Sequence, residues 1–184
     1  MRFFQISLIA GLCLLSAVAC AADAAEAMAV AAPKSMLESG VGKVQDTLAY
    51  ALSLVGVQYK FGGKSPETGL DCSGFVSHVF QEAAGVMLPH NARAIAMFGQ
   101  KIPLSELQPG DLVFYNTLRH AYSHVGISLG DHRFIHAASS GGGVEVDNIK
   151  NSYWVRHFNG ARRLFTSLPS GLPAGFLTES AAKP

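Results

Sequence analysis

Asp71-Cys72-Ser73-Gly74-Phe75-Val76 opens an apolar run that has the spacing of a helix. Its apolar residues fall in two rows, which are Phe75, Val79 and Ala83 in one and Val76 and Phe80 in the other. Gly85 follows as a suitable C-cap, so the pattern predicts a helix whose first turn contains Cys72. Unpaired backbone N–H groups and the helix dipole favour an anion there, and therefore a nucleophilic thiolate. A small buried apolar side chain at the start of a helix would give the same pattern.

The first 20 residues predict export. Arg2 supplies a positive charge, and the stretch from Ile6 to Val18 is apolar but too short for an ordinary transmembrane helix. Ala17-Val18-Ala19 has the small-x-small form of a signal-peptidase site, so residues 1–19 are expected to be a signal peptide. The same segment with Cys20 resembles a bacterial lipoprotein box, which makes Cys20 a candidate for lipidation and membrane anchoring.

Cysteine usage singles out one residue of the mature chain. Cys13 lies in the expected signal, and Cys20 is either removed with it or lipidated, so Cys72 is the cysteine that is left. Exported proteins usually pair their cysteines, and a leftover one therefore indicates a free reactive thiol.

Composition divides the rest of the chain. The Ala-rich residues 20–41 are expected to be a flexible linker, residues 42–166 one domain with one core, and residues 167–184 a tail rich in Pro and Gly. The formal net charge of +1 argues against a nucleic-acid partner, because such a partner would require a strongly basic face.

Helical patterns precede strand patterns along the expected domain. A first helix is predicted over residues 42–54, the Cys72 helix follows, and Asn91 is an N-cap candidate for a short third helix. Strands are then predicted at Asp111–Tyr115, His124–Leu129, Arg133–Ala137, Val144–Val146, Tyr153–Val155 and Arg162–Phe165. This order predicts an α+β fold in which N-terminal helices pack on a mainly antiparallel sheet.

One hairpin of this sheet brings two histidines together. If Gly130 to His132 is the loop and Leu129 faces Arg133, His136 lies opposite Gly126, with open space in front of its side chain. His124 is then the diagonal neighbour of His136 on the same face, about 7 to 8 Å away, which is within reach of long side chains.

A free cysteine at a helix start and two adjacent histidines form the arrangement of a thiol hydrolase. Cys72 would be the nucleophile, and His124 would take its proton and return it to the leaving amine. His136 would bond the far ring nitrogen of His124 and fix its orientation. The backbone N–H of Cys72 and the hydroxyl of Tyr59 are candidates for stabilising the oxyanion.

The same three residues could instead form a zinc site, since one Cys and two His can bind zinc. The close spacing His-x-x-x-His occurs at His120–His124 and at His132–His136, but both pairs fall in predicted loops and strands, where this spacing does not bring the two rings together as it does on a helix. We therefore expect no metal and no cofactor.

A set of motifs gives the sequence a family resemblance. They are Tyr59-Lys60-Phe61-Gly62-Gly63, Asp71-Cys72-Ser73-Gly74-Phe75-Val76, Leu88-Pro89, Gln108-Pro109-Gly110-Asp111-Leu112-Val113-Phe114, Ser123-His124-Val125-Gly126-Ile127 and Phe134-Ile135-His136-Ala137. In this order and spacing the chain resembles the NlpC family of bacterial cell-wall peptidases over nearly the whole expected domain.

The resemblance implies a papain-like cysteine endopeptidase that cleaves peptidoglycan stem or cross-bridge peptides around D-glutamate and diaminopimelate. It implies a Cys72-His124-His136 triad, a Tyr59 that lines the site, and substrate contacts from Asp71 and Ser73. An exported protein of the bacterial periplasm or envelope fits such a substrate.

One loop departs from the family pattern. Many relatives follow Leu-Pro with Arg and then Ser or Thr, whereas this chain has His90-Asn91. Arg93 is the candidate that would replace the missing arginine as a substrate contact.

Two other functions stay open on the sequence. An amidase or acyltransferase could use the same thioester chemistry with an amine in place of water. A protein that binds the cell wall without turnover could keep the same scaffold.

Overall fold

The computed structural model of the chain describes residues 40–117, 120–140 and 142–165. The expected signal peptide, Cys20, the linker up to residue 39 and the tail from residue 167 lie outside these ranges. The helices are α1 over residues 40–53, α2 (Cys72–Ala84), α3 (Ala92–Ile95) and α4 (Ser152–His157), with a 3-10 turn at Leu104–Glu106. In the part of the chain that is described, no helix combines the length and hydrophobicity needed to cross a bilayer.

The strands form a small pair and a larger sheet. The pair is β1 (Lys64–Ser65) with β2 (Gly69–Leu70). The larger sheet contains β3 (Gln100–Ile102), β4 (Leu112–Tyr115), β5 (His124–Gly130), β6 (Arg133–Ala138), β7 (Gly143–Asn148) and β8 (Phe158–Arg163). Its order is β3-β8-β4-β5-β6-β7, and every neighbouring pair is antiparallel. The predicted α+β fold with a mainly antiparallel sheet is therefore confirmed.

Helix α2 begins and ends as the sequence predicts. The side chain of Asp71 caps it by accepting the backbone N–H of Gly74 at 2.7 Å, and Gly85 ends it with φ 67° and ψ 21°. Four of the five residues in the two predicted apolar rows are fully inaccessible, namely Phe75, Val76, Val79 and Phe80, whereas Ala83 in the last turn is half-buried. Full burial stabilises each such side chain by about 1.5–3 kcal/mol, which holds the helix on the sheet.

The C-cap of α2 offers a clean test of backbone strain. An added Cβ at Gly85 would meet no heavy atom within 4 Å. Gly85→Ala should therefore lower the free energy of unfolding only through the left-handed backbone conformation, which alanine adopts at a cost. We expect a loss of about 1 kcal/mol in the free energy of unfolding, measured by urea denaturation. Gly85→Asn should lose less, because Asn tolerates this conformation better than Ala. A Gly85→Ala protein as stable as the wild type would contradict the assigned cap.

The sheet buries apolar residues on both faces. Leu112 and Phe114 join the larger core, which α1, α2 and α3 cover. The alternate residues Val113 and Tyr115 point to the other face and join a smaller core that contains Trp154. The two histidines of interest lie next to this smaller core.

The β5–β6 hairpin differs from the predicted loop by one residue. Ile127 pairs with Ile135 as predicted, but Gly130, rather than Leu129, pairs with Arg133. The turn consists of Asp131 and His132, whose φ angles are 49° and 60°. Two residues with positive φ match the right-handed twist of the strands, and a bulge at the end of β5 absorbs the extra residue. The register near the histidines is unaffected.

The segment predicted as a strand at Tyr153–Val155 is helical. Asn151 caps helix α4 by accepting the backbone N–H of Tyr153 at 2.9 Å. The β propensity of this aromatic and branched segment is overridden because the helix buries Trp154 against the sheet. The last strand, β8, begins at Phe158, directly after helix α4, and ends at Arg163. It therefore begins four residues earlier and ends two residues earlier than the predicted strand, Arg162–Phe165.

Candidate active site

The two histidines on neighbouring strands are in direct contact, as predicted. A hydrogen bond of 2.8 Å joins Nε2 of His124 to Nδ1 of His136, and the two rings are perpendicular. Both side chains are buried. No hydrogen bond within the described residues uses the second ring nitrogen of His124, Nδ1. That atom is therefore available as an acceptor.

The predicted open space in front of His136 is not there. An added Cβ at Gly126 would lie 2.8 Å from the carbonyl oxygen of Ile135 and 3.1 Å from Cβ of His136. The Phe134 ring also occupies this space and stacks on the His136 ring with centroids 4.7 Å apart. Gly126 therefore permits the close packing that orients His136.

Cys72 is the first residue of α2 and the free cysteine among the described residues. The backbone N–H of Val125, the residue after His124, lies close enough to the sulfur to lower the pKa of the thiol, which puts the thiol near the start of β5. Helix α2 thus brings the thiol to the strand that carries the candidate base.

The protonation states differ from the sequence prediction. Burial, and then the negative charge of Asp71, raise the pKa of the Cys72 thiol to about 11, although nearby backbone N–H groups act in the opposite direction. Burial, and then His136, lower the pKa of His124 to about 3. The predicted thiolate is therefore wrong: desolvation outweighs the helix N-terminus, and both groups are neutral at pH 7.

Asp71 connects several parts of the site. Its carboxylate accepts the backbone N–H of Gly62 at 3.0 Å and the hydroxyl of Ser73 at 2.9 Å, in addition to the Gly74 cap. Nε2 of His90 lies 2.9 and 3.0 Å from its two oxygens. Asp71 and the buried Ser73 therefore have internal structural roles, and their contact with substrate stays a prediction.

His90 is a residue whose importance the sequence did not reveal. It stands where many relatives were expected to have arginine, and its ring bonds the cap of α2 from the loop before α3. No local pattern could have shown this, because 19 residues separate His90 from Asp71. Arg93 is exposed on α3, with no hydrogen bond or ion pair to any residue in the described ranges, and its role stays a prediction.

Tyr59 lies beside the thiol and is half-buried. Burial raises the pKa of its hydroxyl, and the Asp71 carboxylate and the ionised form of the Cys72 thiol act in the same direction, which indicates that the hydroxyl is near both. The backbone N–H of Tyr59 donates to the carbonyl of Gly142 at 2.9 Å, which fixes the segment. Its position is compatible with the predicted oxyanion role, which stays a prediction.

Two residues that the sequence did not single out complete the surroundings of the histidines. Nε2 of His136 lies 3.3 Å from Oδ2 of Asp147, and the indole N–H of Trp154 donates to the same oxygen at 2.9 Å. The Trp154 ring also stacks on His124, with centroids 5.7 Å apart. Asp147 is two residues along β7 from Glu145, the strand partner of His136, so a longer predicted β7 would have included it.

One group of described side chains is close enough together to hold a metal ion. Among the described residues, the group of His, Cys, Asp and Glu side chains that could hold an ion is His136, Glu145 and Asp147, with ligand atoms within 4.8 Å of one another. This group contains neither Cys72 nor His124. The described geometry therefore does not form the zinc site of one Cys and two His that the sequence left open.

Known proteins share this sequence and this architecture. Residues 56–163, more than half of the chain, match the model of the NlpC/P60 family. The murein DD-endopeptidase MepH of Escherichia coli is 34% identical over 143 residues, which are 74% of this chain and 53% of MepH. The gamma-DL-glutamyl hydrolase of Bacillus subtilis is 41% identical over 110 residues, which are 59% of this chain and 26% of the hydrolase.

A solved structure supports the same assignment. The peptidoglycan hydrolase RipB of Mycobacterium tuberculosis superposes with a TM-score of 0.61 at 26% identity, over 70% of this chain and 68% of RipB. The chain spans about half or less of the two curated relatives, so the comparison concerns the shared domain. By its sequence match and its papain-like α+β fold, the chain belongs to the NlpC/P60 family.

Proposed function

We propose that this protein is an exported cysteine endopeptidase that hydrolyses peptidoglycan peptides, in the stem or the cross-bridge, at bonds around D-glutamate and diaminopimelate. The names of the relatives support this substrate class, since they include a murein endopeptidase, a glutamyl hydrolase and a peptidoglycan hydrolase. Cys72, His124 and His136 form the proposed triad.

One observation carries the proposal. Nε2 of His124 is engaged by His136, so Nδ1 is left for the thiol that α2 holds at the start of the same strand. A nucleophile, a base and a group that orients the base are the components of covalent acyl transfer.

The neutral resting pair sets the order of the proposed steps. Nδ1 of His124 takes the proton of Cys72 while Sγ attacks the carbonyl carbon of the peptide. The C–N bond then breaks, the amine leaves with that proton, and a thioester remains. Water attacks the thioester after giving a proton to Nδ1, and breakdown of this second intermediate releases the carboxylate product and restores the thiol.

The negative oxygen of each tetrahedral intermediate needs donors. The backbone N–H of Cys72 at the start of α2 and the hydroxyl of Tyr59 are the proposed pair. The raised pKa of Tyr59 supports this role, because the hydroxyl keeps its proton at neutral pH and can donate it in a hydrogen bond.

The proposal also includes the location of the protein. Peptidoglycan lies outside the bacterial cytoplasm, so residues 1–19 would direct export to the periplasm or envelope. A lipid on Cys20 would anchor the domain to a membrane, with residues 20–39 as a tether.

The test is digestion of purified peptidoglycan, with the products identified by mass spectrometry. Wild type and Cys72→Ala are run in parallel, because this substitution removes the nucleophile and leaves only a small change in volume. We expect wild type to release fragments and Cys72→Ala to release none. Fragments that end at D-glutamate would identify stem cleavage, and monomers from cross-linked dimers would identify cross-bridge cleavage.

Two other outcomes would overturn the hydrolase proposal. Products joined to an added amine, formed in preference to hydrolysed products, would indicate an acyltransferase. Binding of muropeptides without turnover by either protein would indicate a non-catalytic wall-binding role.

A further inference from the structure

We propose that Asp147 is a positioning residue that fixes the tautomers of both histidines, so that His124 presents an unprotonated Nδ1 to Cys72. This inference rests on the proposed function, since it assigns a fourth member to the same site. Asp147 itself touches neither the thiol nor the reacting bond in the proposed mechanism.

The carboxylate of Asp147 determines which nitrogen of His136 carries the hydrogen. An ionised carboxylate can only accept hydrogen bonds, and the indole N–H of Trp154 can only donate. Both the indole N–H and Nε2 of His136 lie against Oδ2 of Asp147, at 2.9 and 3.3 Å. Nε2 of His136 must therefore carry its hydrogen.

The tautomer of His136 then determines the tautomer of His124. A neutral imidazole with a hydrogen on Nε2 has an acceptor at Nδ1, so Nδ1 of His136 accepts. Its partner at 2.8 Å, Nε2 of His124, must donate and thus holds the only hydrogen of that neutral ring. Nδ1 of His124 is left with a free lone pair, as a general base requires.

Without Asp147 the hydrogen bond between the rings has no preferred direction. Nδ1 of His136 could donate to Nε2 of His124, and the hydrogen of His124 would then lie on Nδ1, where it blocks proton transfer from the thiol. The carboxylate removes this second arrangement. Trp154 keeps the carboxylate in place, because the Asp147 side chain is 34% exposed and would otherwise be free to turn toward water.

The surrounding charges agree with neutral rings. Burial lowers the pKa of His136, although Asp147 acts in the opposite direction. The other titratable groups around the two rings are Tyr115 on β4, Glu145 on β7, and Asp71 and Cys72 at the start of α2. Tyr115 and Cys72 are neutral at pH 7, because burial raises the pKa of each.

The test reads the tautomers directly. Protein labelled with nitrogen-15 in its imidazoles is studied by long-range proton–nitrogen NMR, in wild type, Asp147→Leu and Asp147→Asn. We expect His124 of the wild type to carry its hydrogen on Nε2, and Asp147→Leu to show a mixture of both tautomers. Asp147→Asn keeps an acceptor oxygen and should keep the wild-type tautomer.

Kinetics give a second readout. Asp147→Leu should lower kcat about 10- to 100-fold with KM within about twofold, because the wrong tautomer affects the chemical step rather than binding. Asp147→Asn should recover most of this loss. Glu145→Gln is the matched control. Glu145 lies on β7, the strand of Asp147, and pairs with His136 on β6 without a hydrogen bond to its ring, so the substitution should leave the tautomer and kcat unchanged.

Several results would overturn the inference. They are a wild-type His124 with its hydrogen on Nδ1, or an Asp147→Leu protein with the wild-type tautomer and kcat. If Asp147→Leu does not fold, Trp154→Phe serves instead, since it frees the carboxylate, and an unchanged tautomer there would count against the inference. The NMR result does not need a substrate, so it stands apart from failure of the peptidase proposal.

Discussion

Replacing His124 with Gln is expected to lower kcat/KM for peptide hydrolysis about a thousandfold or more at pH 7. The substitution removes the proposed base, and its amide can still bond His136. Attack would then depend on thiolate that is already present. A thiol with a pKa of about 11 is ionised to roughly one part in ten thousand at pH 7.

The two proteins should also differ in how their rates depend on pH. In His124→Gln the rate should rise about tenfold per pH unit above pH 7, because the thiolate fraction rises by that factor until the thiol pKa is reached. Wild type should instead show a plateau across neutral pH. Its limits are the pKa of His124, about 3, below which the base is protonated, and the thiol pKa, about 11.

Stopped-flow or discontinuous assays with a synthetic stem peptide can follow both profiles. Cys72→Ala is the control and should be inactive at every pH, which excludes background hydrolysis. A His124→Gln protein that keeps more than a tenth of the activity at pH 7, or whose rate does not depend on pH, would contradict the assignment of His124 as the base.

Asp71→Ala is expected to lower the free energy of unfolding by about 2–4 kcal/mol. Loss of a helix N-cap costs about 1 kcal/mol, and each buried donor that loses its acceptor adds about 1 kcal/mol or more. The stranded donors would be the hydroxyl of the buried Ser73 and the ring of the half-buried His90, whereas the backbone N–H of Gly62 is exposed and can bond water instead. The Asp71 side chain is only 13% exposed, so water can replace little of this.

Urea denaturation with linear extrapolation measures the effect. Asn91→Ala is the matched control, because it removes the corresponding N-cap of the short helix α3 at an exposed position and should cost about 1 kcal/mol or less. The loss in the free energy of unfolding for Asp71→Asn should lie between those of Asp71→Ala and Asn91→Ala, because Asn keeps an acceptor oxygen. Equal losses for Asp71→Ala and Asn91→Ala would mean that Asp71 acts as a cap and nothing more.

Local patterns in the sequence predicted the parts of the site that depend on neighbours along the chain. The cap, the two apolar rows and the terminal glycine defined α2, and the alternation of a short hairpin brought His124 and His136 together. These features work because helices and hairpins have fixed periods of 3.6 and 2 residues.

Other parts of the site depend on residues distant in the sequence. The bond from His90 to Asp71 and the one from Trp154 to Asp147 join separate elements, and neither has a local signal. The helical state of Tyr153–Val155 was missed for the same reason, since the burial of Trp154 outweighs its propensity. The protonation of Cys72 was predicted wrongly because the helix start is visible in the sequence, whereas the depth of burial is not.

The raised pKa of Cys72 has a consequence for the durability of the protein. Peroxides and disulfides react with the thiolate rather than the thiol, so a cysteine that stays protonated at rest is attacked slowly. A lone cysteine in an oxidising compartment is otherwise prone to sulfenic acid formation and mixed disulfides. In the proposed mechanism the base removes this proton only while a peptide is being attacked, so the proposed nucleophile would be protected from oxidative damage between turnovers.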